Sequence, residues 1–504
     1  MEESRYVVCE RRISPRDTNK LFMDFLSLKE IKKALSEKAI TSEQLVQSYF
    51  DRIKEHDHEI GAFLHLAEEE ALAEARHIDL DRAAGKEMLP LAGIPVAVKN
   101  NICVQGRKTT AGSKMLENYE ASYDATVIKH LRNAGMIIIG DTNLDEFAHG
   151  SSTENSAFFT TKNPWNTKKV PGGSSGGSAA AVIAGFVPVA LGSETGGSVR
   201  LPAALCGITG LKPTYGRVSR YGLIAMASSL DQIGSFGRSV DDVAEIFSVI
   251  AGNDENDATT ADSEVVVPEL IPQDIKGLRI GIPKEYFVEG MDSEVKKAVM
   301  AAVEIFKTNG AEIQEISLPH TEYGIATYYV VMPCEVGSNL SRMDGIRFGH
   351  SADGKNLLDT YLTARGEGLG PEAKRRIMLG SFALSKGYAD AYYKKALRVR
   401  SLIKQDFDEA FKHVDVILTP TSPTVAWDIG AKFNDPLTMY LSDIYTVSAN
   451  LAGIPALSLP CGFSQDLPIG LQLMAKPFDE TCLFRAGKFY QSVTDWHLRR
   501  PVGF

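Results

Sequence analysis

The sequence predicts a layered α/β protein with a mixed β-sheet core covered by helices on both sides. Three observations predict it. Helical and strand-like periods alternate along most of the chain. The strand-like runs are short and continuously apolar, as buried strands are. Hydrophobic residues make up 44% and charged residues 23% of 504, which excludes a mainly disordered, collagenous or coiled-coil chain.

The elements follow in order. Residues 1–22 show neither period and read as a flexible N-terminal extension, with Met23 directly before the first ordered-looking segment. One unit then runs over 23–504. Ser27-x-x-Glu30 and Thr41-x-x-Gln44 are capping boxes that open helices over 28–37 and 42–57. A third helix is expected over 66–85. LPLAGIPVAV followed by Lys99 reads as a buried strand over 90–99. A helix over 124–134 leads through Asn133-Ala134-Gly135 into a strand over 136–140. Further strands are expected over 187–192, 278–283, 311–319, 414–420 and 455–460. Helices are expected over 294–309, 322–341, 371–410, 437–452 and 480–494. The acidic, proline-bearing stretch 252–273 reads as a surface loop, and no internal repeat is visible.

Charge and cysteines narrow the function. Lys+Arg is 54 against Asp+Glu 64, a net charge of −10, so the chain has no basic footprint for nucleic acid. Any RNA in its work is expected to be held by another chain. Cys9, Cys103, Cys206, Cys334, Cys461 and Cys482 are scattered without a CxxC, which points away from a zinc ribbon or a thioredoxin-like site. Scattered thiols suit a reduced, cytoplasmic protein. The longest apolar stretch, Ala179 to Leu191, is interrupted by Gly185 and Pro188 and is too short for a bilayer. The first 25 residues lack the apolar centre of a signal peptide. His56-Asp57-His58 suggests no metal, because HxH on a helix puts the two rings on different faces.

The informative stretch is Val170 to Arg200, with two glycine-rich turns, GGSSGGS (172–178) and TGGS (195–198). A flexible linker is the bland reading of GGSSGG. Here the run flows straight into AAAVIAG and then a strand, so the glycines serve a loop that approaches a ligand. It is neither GxxxxGK[ST], GxGxxG nor the GxSxG elbow. TGGS before a helix aims backbone N–H groups of Thr195, Gly196 and Gly197 at one point, as an oxyanion hole requires.

GGSSGGSAAAV followed by SETGGSVRLPAALCGITGLKPTYG resembles the amidase signature family of serine hydrolases. The resemblance covers nearly all of 23–504 and implies the family's single large domain. It implies a Ser–Ser–Lys triad: Ser198 as nucleophile, Ser174 as bridging serine after a cis peptide bond, and Lys99 as base. Their separations of 24 and 75 residues fit the family's layout. The chemistry suits these residue types. A serine hydroxyl needs a base, and a lysine at the end of an apolar run can be held neutral by desolvation.

Within the family, RMDGIRFGH (342–350), residues 361–396 and DPLTMYLSD (435–443) are similar to the glutaminase components of tRNA-dependent amidotransferases. That resemblance implies glutamine as substrate. Arg376 then clamps its carboxylate, Asp443 meets its ammonium group, and Tyr329, rather than Tyr328, belongs to the site. It also implies B and C subunits in a heterotrimer. ATP and Mg sit at the B component, which also handles most of the contact with Glu-tRNA(Gln), and no cofactor is held here. The location is then cytoplasmic, or organellar in a eukaryote. A stand-alone amidase would share the triad without needing Arg376 and Asp443. Two departures stand out: His149 where methionine is common, and Cys334-Glu335-Val336-Gly337 in place of a small-residue run. His149 is a candidate neighbour of the substrate, or simply a hydrogen-bonded helix-end residue.

Overall fold

The computed structural model describes residues 25–263, 266, 268–287 and 290–503. The N-terminal extension expected over 1–22 lies outside the described residues.

Among the described residues, eleven strands form one mixed sheet. They are β1 (Phe63–Leu66), β2 (Pro95–Lys99), β3 (Ile137–Thr142), β4 (Val189–Glu194), β5 (Thr209–Lys212), β6 (Gln232–Gly237), β7 (Arg279–Pro283), β8 (Glu312–Ile316), β9 (Val416–Pro420), β10 (Ala456–Ser464) and β11 (Leu467–Ala475). Their order across the sheet is β1-β3-β2-β4-β6-β5-β10-β11-β9-β7-β8. β2 runs parallel to both β3 and β4, whereas β4–β6, β5–β10 and β10–β11 are antiparallel. Helices flank the sheet. The larger apolar cluster gathers around β2, β3, β4, β10 and β11. A second lies among the helices Gly324–Asn339, Tyr393–Ala410 and Val447–Ala452.

Both predicted capping boxes are present, on helices Leu28–Ser36 and Ser42–Ile60. Several expectations need correction. The strand expected over 90–99 occupies only 95–99; before it the chain turns, with Gly93 at φ +88 and its N–H on the Gly135 carbonyl. β1, β5, β6 and β11 lie outside the expected strands. β6 reads QIGSFG and is buried throughout, so it carries neither an apolar run nor an alternation. The single helix expected over 371–410 is two, Pro371–Leu384 and Tyr393–Ala410. The break comes where Ser385 turns extended and Gly387 takes φ +91. The helix expected over 437–452 is likewise split into Pro436–Tyr440, a 3-10 turn Leu441–Asp443 and Val447–Ala452. Thr446, between that turn and the last helix, donates its hydroxyl to the Gly196 carbonyl at 2.6 Å.

Because β2 and β4 are parallel, Lys99 and Glu194 finish at the same edge of the sheet. The carboxyl ends of parallel strands are where open α/β sheets place their ligands. The short helix Arg200–Cys206, which follows TGGS, packs on β10 and β11. A Cβ added at Gly470 of β11 would stand 2.4 Å from Ala204 Cβ, so this packing admits no side chain. Gly470→Ala is expected to destabilise the protein by about 1–3 kcal/mol through overpacking. Urea unfolding measures it, and an unchanged midpoint would show that the helix yields at no cost.

Candidate active site

Lys99 is the last residue of β2 and has 0% exposure. Its Nζ lies 2.8 Å from Ser174 Oγ, 2.8 Å from Ser175 Oγ and 3.1 Å from the Ser193 carbonyl. Burial pulls its pKa down to about 7, against the opposing pull of Asp145, Asp231 and Glu194. Three carboxylates therefore do not outweigh the loss of water around the amine, and near neutrality it can accept a proton.

Ser174 follows a cis peptide bond from Gly173 and is fully buried. Ser175, for which the sequence reading has no role, also donates to the Ser193 carbonyl at 3.0 Å. It ties the amine to the end of β4. Ser198 sits on the neighbouring turn, 8% exposed, with its carbonyl accepting from Ser175 N at 3.2 Å. Among the described residues its hydroxyl has no hydrogen-bond partner, and neither do the backbone N–H groups of Gly196 and Gly197. Gly197 has φ +155, and a Cβ there would lie 2.5 Å from Thr446 Oγ1. Thr195 donates its hydroxyl to Asp231 Oδ1 at 2.7 Å. The structure thus gathers Lys99, Ser174 and the Thr195–Ser198 turn into one cluster.

That turn is held by a buried ion pair. Glu194 Oε2 accepts from the N–H groups of Val199 and Arg200, each at 3.0 Å. Arg200 Nε donates back to Glu194 Oε1 at 2.9 Å, and its other nitrogens reach Gln472, Asn450 and the Thr446 carbonyl. Burial alone would raise the Glu194 carboxyl, but Arg200 overrides it and holds the pKa below its ordinary value. Glu194 and Arg200 flank TGGS almost symmetrically, which is the sequence signal that could have found them.

A second cluster borders the first. Arg376 is 3% exposed and its Nε donates to Glu372 Oε1 at 2.8 Å. Its guanidinium lies 5.6 and 5.7 Å from the ring centroids of Tyr329 and Tyr440, which stack on each other at 3.8 Å. The neighbouring Arg375 points outward, its side chain 42% exposed, so burial separates the two arginines. Tyr329 Oη donates to Asp443 Oδ2 at 3.4 Å, and Ser151 Oγ donates to the same oxygen at 2.8 Å. A Cβ added at Gly197 would be 3.3 Å from Asp443 Oδ1, which places this carboxylate beside the serine turn. Burial pushes the Asp443 pKa up to about 7, opposed by Ser151 and Arg376. Tyr328 sits under the turn, where a Cβ on Gly196 would meet its ring at 2.6 Å. Ser151, Glu372 and Tyr440 have no role in the sequence reading, although Glu372 and Tyr440 lie within the stretches 361–396 and 435–443 that carry the resemblance.

Asp57 of the HxH stretch accepts from the N–H groups of Ala62 and Phe63, a turn-closing role. Glu335, from the run that departs from the family pattern, accepts from Ser229 and braces the loop leading to Asp231.

The sequence pattern described as Amidase matches residues 44–484. The A subunit of the glutamyl-tRNA(Gln) amidotransferase of Chloroflexus aggregans is 55% identical over 482 residues, which are 95% of this chain and 98% of that protein. The crystal structure of the glutamyl-tRNA(Gln) amidotransferase A subunit from Thermotoga maritima superposes with a TM-score of 0.79 at 42% identity, covering 94% of this chain and 96% of that one. A peptide amidase structure superposes with a TM-score of 0.81 at 30% identity, covering 95% and 99%.

Arg200→Met leaves Glu194 charged and unpaired in the interior. A loss of about 3–5 kcal/mol in unfolding free energy is expected. Adding Glu194→Gln should recover part of it, because no orphaned charge remains. Denaturant unfolding of the three proteins checks this, and a single variant as stable as the parent would contradict it.

Proposed function

The chain belongs to the amidase family, and we propose that it is the glutaminase component of a tRNA-dependent amidotransferase. In this reading it hydrolyses glutamine and passes ammonia to a partner chain that converts Glu-tRNA(Gln) to Gln-tRNA(Gln). The observation that carries it is the buried pair of opposite charges, Arg376 and Asp443, set beside the Ser198 turn. An amino acid offers a carboxylate and an ammonium group to such a pair, and a planar guanidinium suits a carboxylate. A simple amidase needs neither.

The chemistry follows from the positions. Arg376 takes the α-carboxylate. Asp443 and the Tyr329 hydroxyl take the α-ammonium, whose charge favours the ionised form of Asp443. Ser198 Oγ attacks the carboxamide carbon while its proton passes through Ser174 to the neutral Lys99 amine. The unpartnered N–H groups of the Thr195–Ser198 turn receive the developing oxyanion. Collapse returns the proton from Lys99 through Ser174 to the leaving nitrogen, which departs as ammonia. Water then hydrolyses the glutamyl ester, with Lys99 again accepting a proton and Ser198 regaining its own.

Amide synthesis on a carboxylate needs an activated acyl group. The chain has neither a GxxxxGK[ST] nor a kinase-like glycine loop, and its net charge is −10. ATP, Mg and tRNA contacts are therefore assigned to a B-type partner, with a small C-type chain completing a heterotrimer in the cytoplasm or an organelle. Among the described residues no helix is long and apolar enough to cross a membrane.

Ammonia release from glutamine by the purified chain, with and without its partner chains, ATP and Glu-tRNA(Gln), tests the reading. Release should rise on assembly, and Gln-tRNA(Gln) should form only with the partners. Formation by the chain alone would sink the division of labour. Neutral Lys99 is the active form, so glutaminase activity should fall as pH drops through about 7. Lys99→Arg should not restore it, since guanidinium keeps its proton; substantial activity in that variant would exclude a lysine base. Arg376→Leu and Asp443→Asn should each weaken glutamine in kcat/KM by about 2–5 kcal/mol. An amide lacking α-substituents should be affected far less, and equal losses on both substrates would remove the glutaminase-specific reading.

A further inference from the structure

The segment 145–155 is fastened at both ends of the site. Asp145 accepts from Thr153 N at 2.8 Å and Asn155 N at 3.0 Å, and Asp145 N donates to the Ser174 carbonyl at 3.3 Å. Ser151 reaches Asp443. Phe147, Ala148 and Thr153 take φ values of 48, 62 and 63, in the left-handed region that side-chain-bearing residues seldom enter. Such conformations persist where the surroundings impose them, and they concentrate at ligand sites.

His149 lies in this segment with 0% exposure. Its backbone is satisfied: N–H donates to the Glu146 carbonyl at 2.8 Å and C=O accepts from Asn155 Nδ2 at 3.1 Å. Its ring is not. Among the described residues, neither Nδ1 nor Nε2 has a hydrogen-bond partner, and both are buried. Burial, and then the charge of Arg376, holds its pKa well below the ordinary value, so the ring is neutral. A neutral imidazole has one donor and one acceptor. Buried polar groups are almost always paired, so a ring with neither nitrogen used, within the electrostatic reach of Arg376 and two residues from the Ser151 that holds Asp443, points to a bound molecule as its partner.

We propose that His149 is a further substrate-binding residue, whose ring N–H donates to the amino-acid carboxylate held by Arg376. The inference rests on the glutaminase reading and deepens it. Arg376 supplies the charge. His149 supplies a neutral second donor, whose bond to an ionised carboxylate is stronger than its bond to a carboxamide oxygen.

Binding to the Ser198→Ala protein, measured by titration calorimetry with L-glutamine and with L-glutaminamide, tests it without turnover. His149→Met keeps the bulk and removes both nitrogens; His149→Gln keeps a donor. Loss of a hydrogen bond to a charged acceptor should weaken glutamine at least about tenfold in His149→Met. His149→Gln should stay within about threefold, and glutaminamide should lose clearly less affinity than glutamine in His149→Met, because its carboxamide oxygen is a weaker acceptor. Unchanged glutamine affinity in His149→Met, as when a buried water merely fills the ring's needs, would overturn the proposal. So would equal losses for both ligands, the mark of a purely structural role. If the Ser198→Ala protein with His149 intact bound no glutamine, the glutaminase reading itself would fail, and this proposal with it.

Discussion

A single amine deprived of water governs this molecule. The fall of the Lys99 pKa from 10.5 to about 7 corresponds to about 5 kcal/mol against the charged form. Three carboxylates pull the other way and lose. Their partners explain why. Glu194 is bound to Arg200, Asp231 accepts from Thr195, Met226 and Ala227, and Asp145 accepts from two backbone N–H groups of its own loop. Each carboxylate is engaged elsewhere, so none is free to form a tight pair that would keep the lysine charged. The apolar strand β2, buried on both faces, and the small-residue helix Gly176–Ile183 beside it complete the exclusion of water.

The other constraint is positional. Gly196 and Gly197 leave room for Tyr328, Thr446 and Asp443, and so let the C-terminal half approach the serine turn closely. Arg200 then joins that turn to Gln472 of β11 and to Asn450 on the helix Val447–Ala452. The same ion pair therefore orients the turn and fixes its distance from the Arg376–Asp443 cluster. The Lys99–Ser174–Ser198 cluster from one half of the chain and the Arg376–Asp443 cluster from the other are linked through one buried guanidinium.

What the sequence discloses follows this division. Lys99, Ser174 and Ser198 stand in long irregular motifs, and they are singled out by the resemblance those motifs carry, since a lone serine or lysine has many other uses. The capped helices and the apolar strands β2, β3, β4, β7 and β9 are legible from their periods. β6 is not, because a strand covered on both faces and reading QIGSFG has no pattern of its own; β5 is only four residues long, and β11, LPIGLQLMA, is mostly apolar but broken by Pro468, Gly470 and Gln472. The choice of Arg376 over Arg375 rests on resemblance, and burial supplies its physical basis. Ser151 bonding Asp443 joins residues 292 apart, and no local window contains such a fact. The overlong helix expected over 371–410 shows the reverse error: good helix formers fill the window, and the helix ends at Leu384, where Ser385 turns extended ahead of Gly387 in the left-handed region.

The order of the strands has a consequence for how the protein is made. β5 pairs with β10, so Lys212 waits for Ala456, and β7 lies beside β9 rather than beside its predecessors. A nascent chain leaving the ribosome therefore carries β5 with an open edge while more than two hundred further residues are translated. Unpaired edges invite association with other chains, and sheets closed by distant segments assemble slowly. Truncation anywhere before β11 removes the strand that Arg200 leans on, and with it the setting of the serine turn. Chaperone shelter until the last strands emerge, and rapid clearance of prematurely terminated chains, are what this topology demands of the cell.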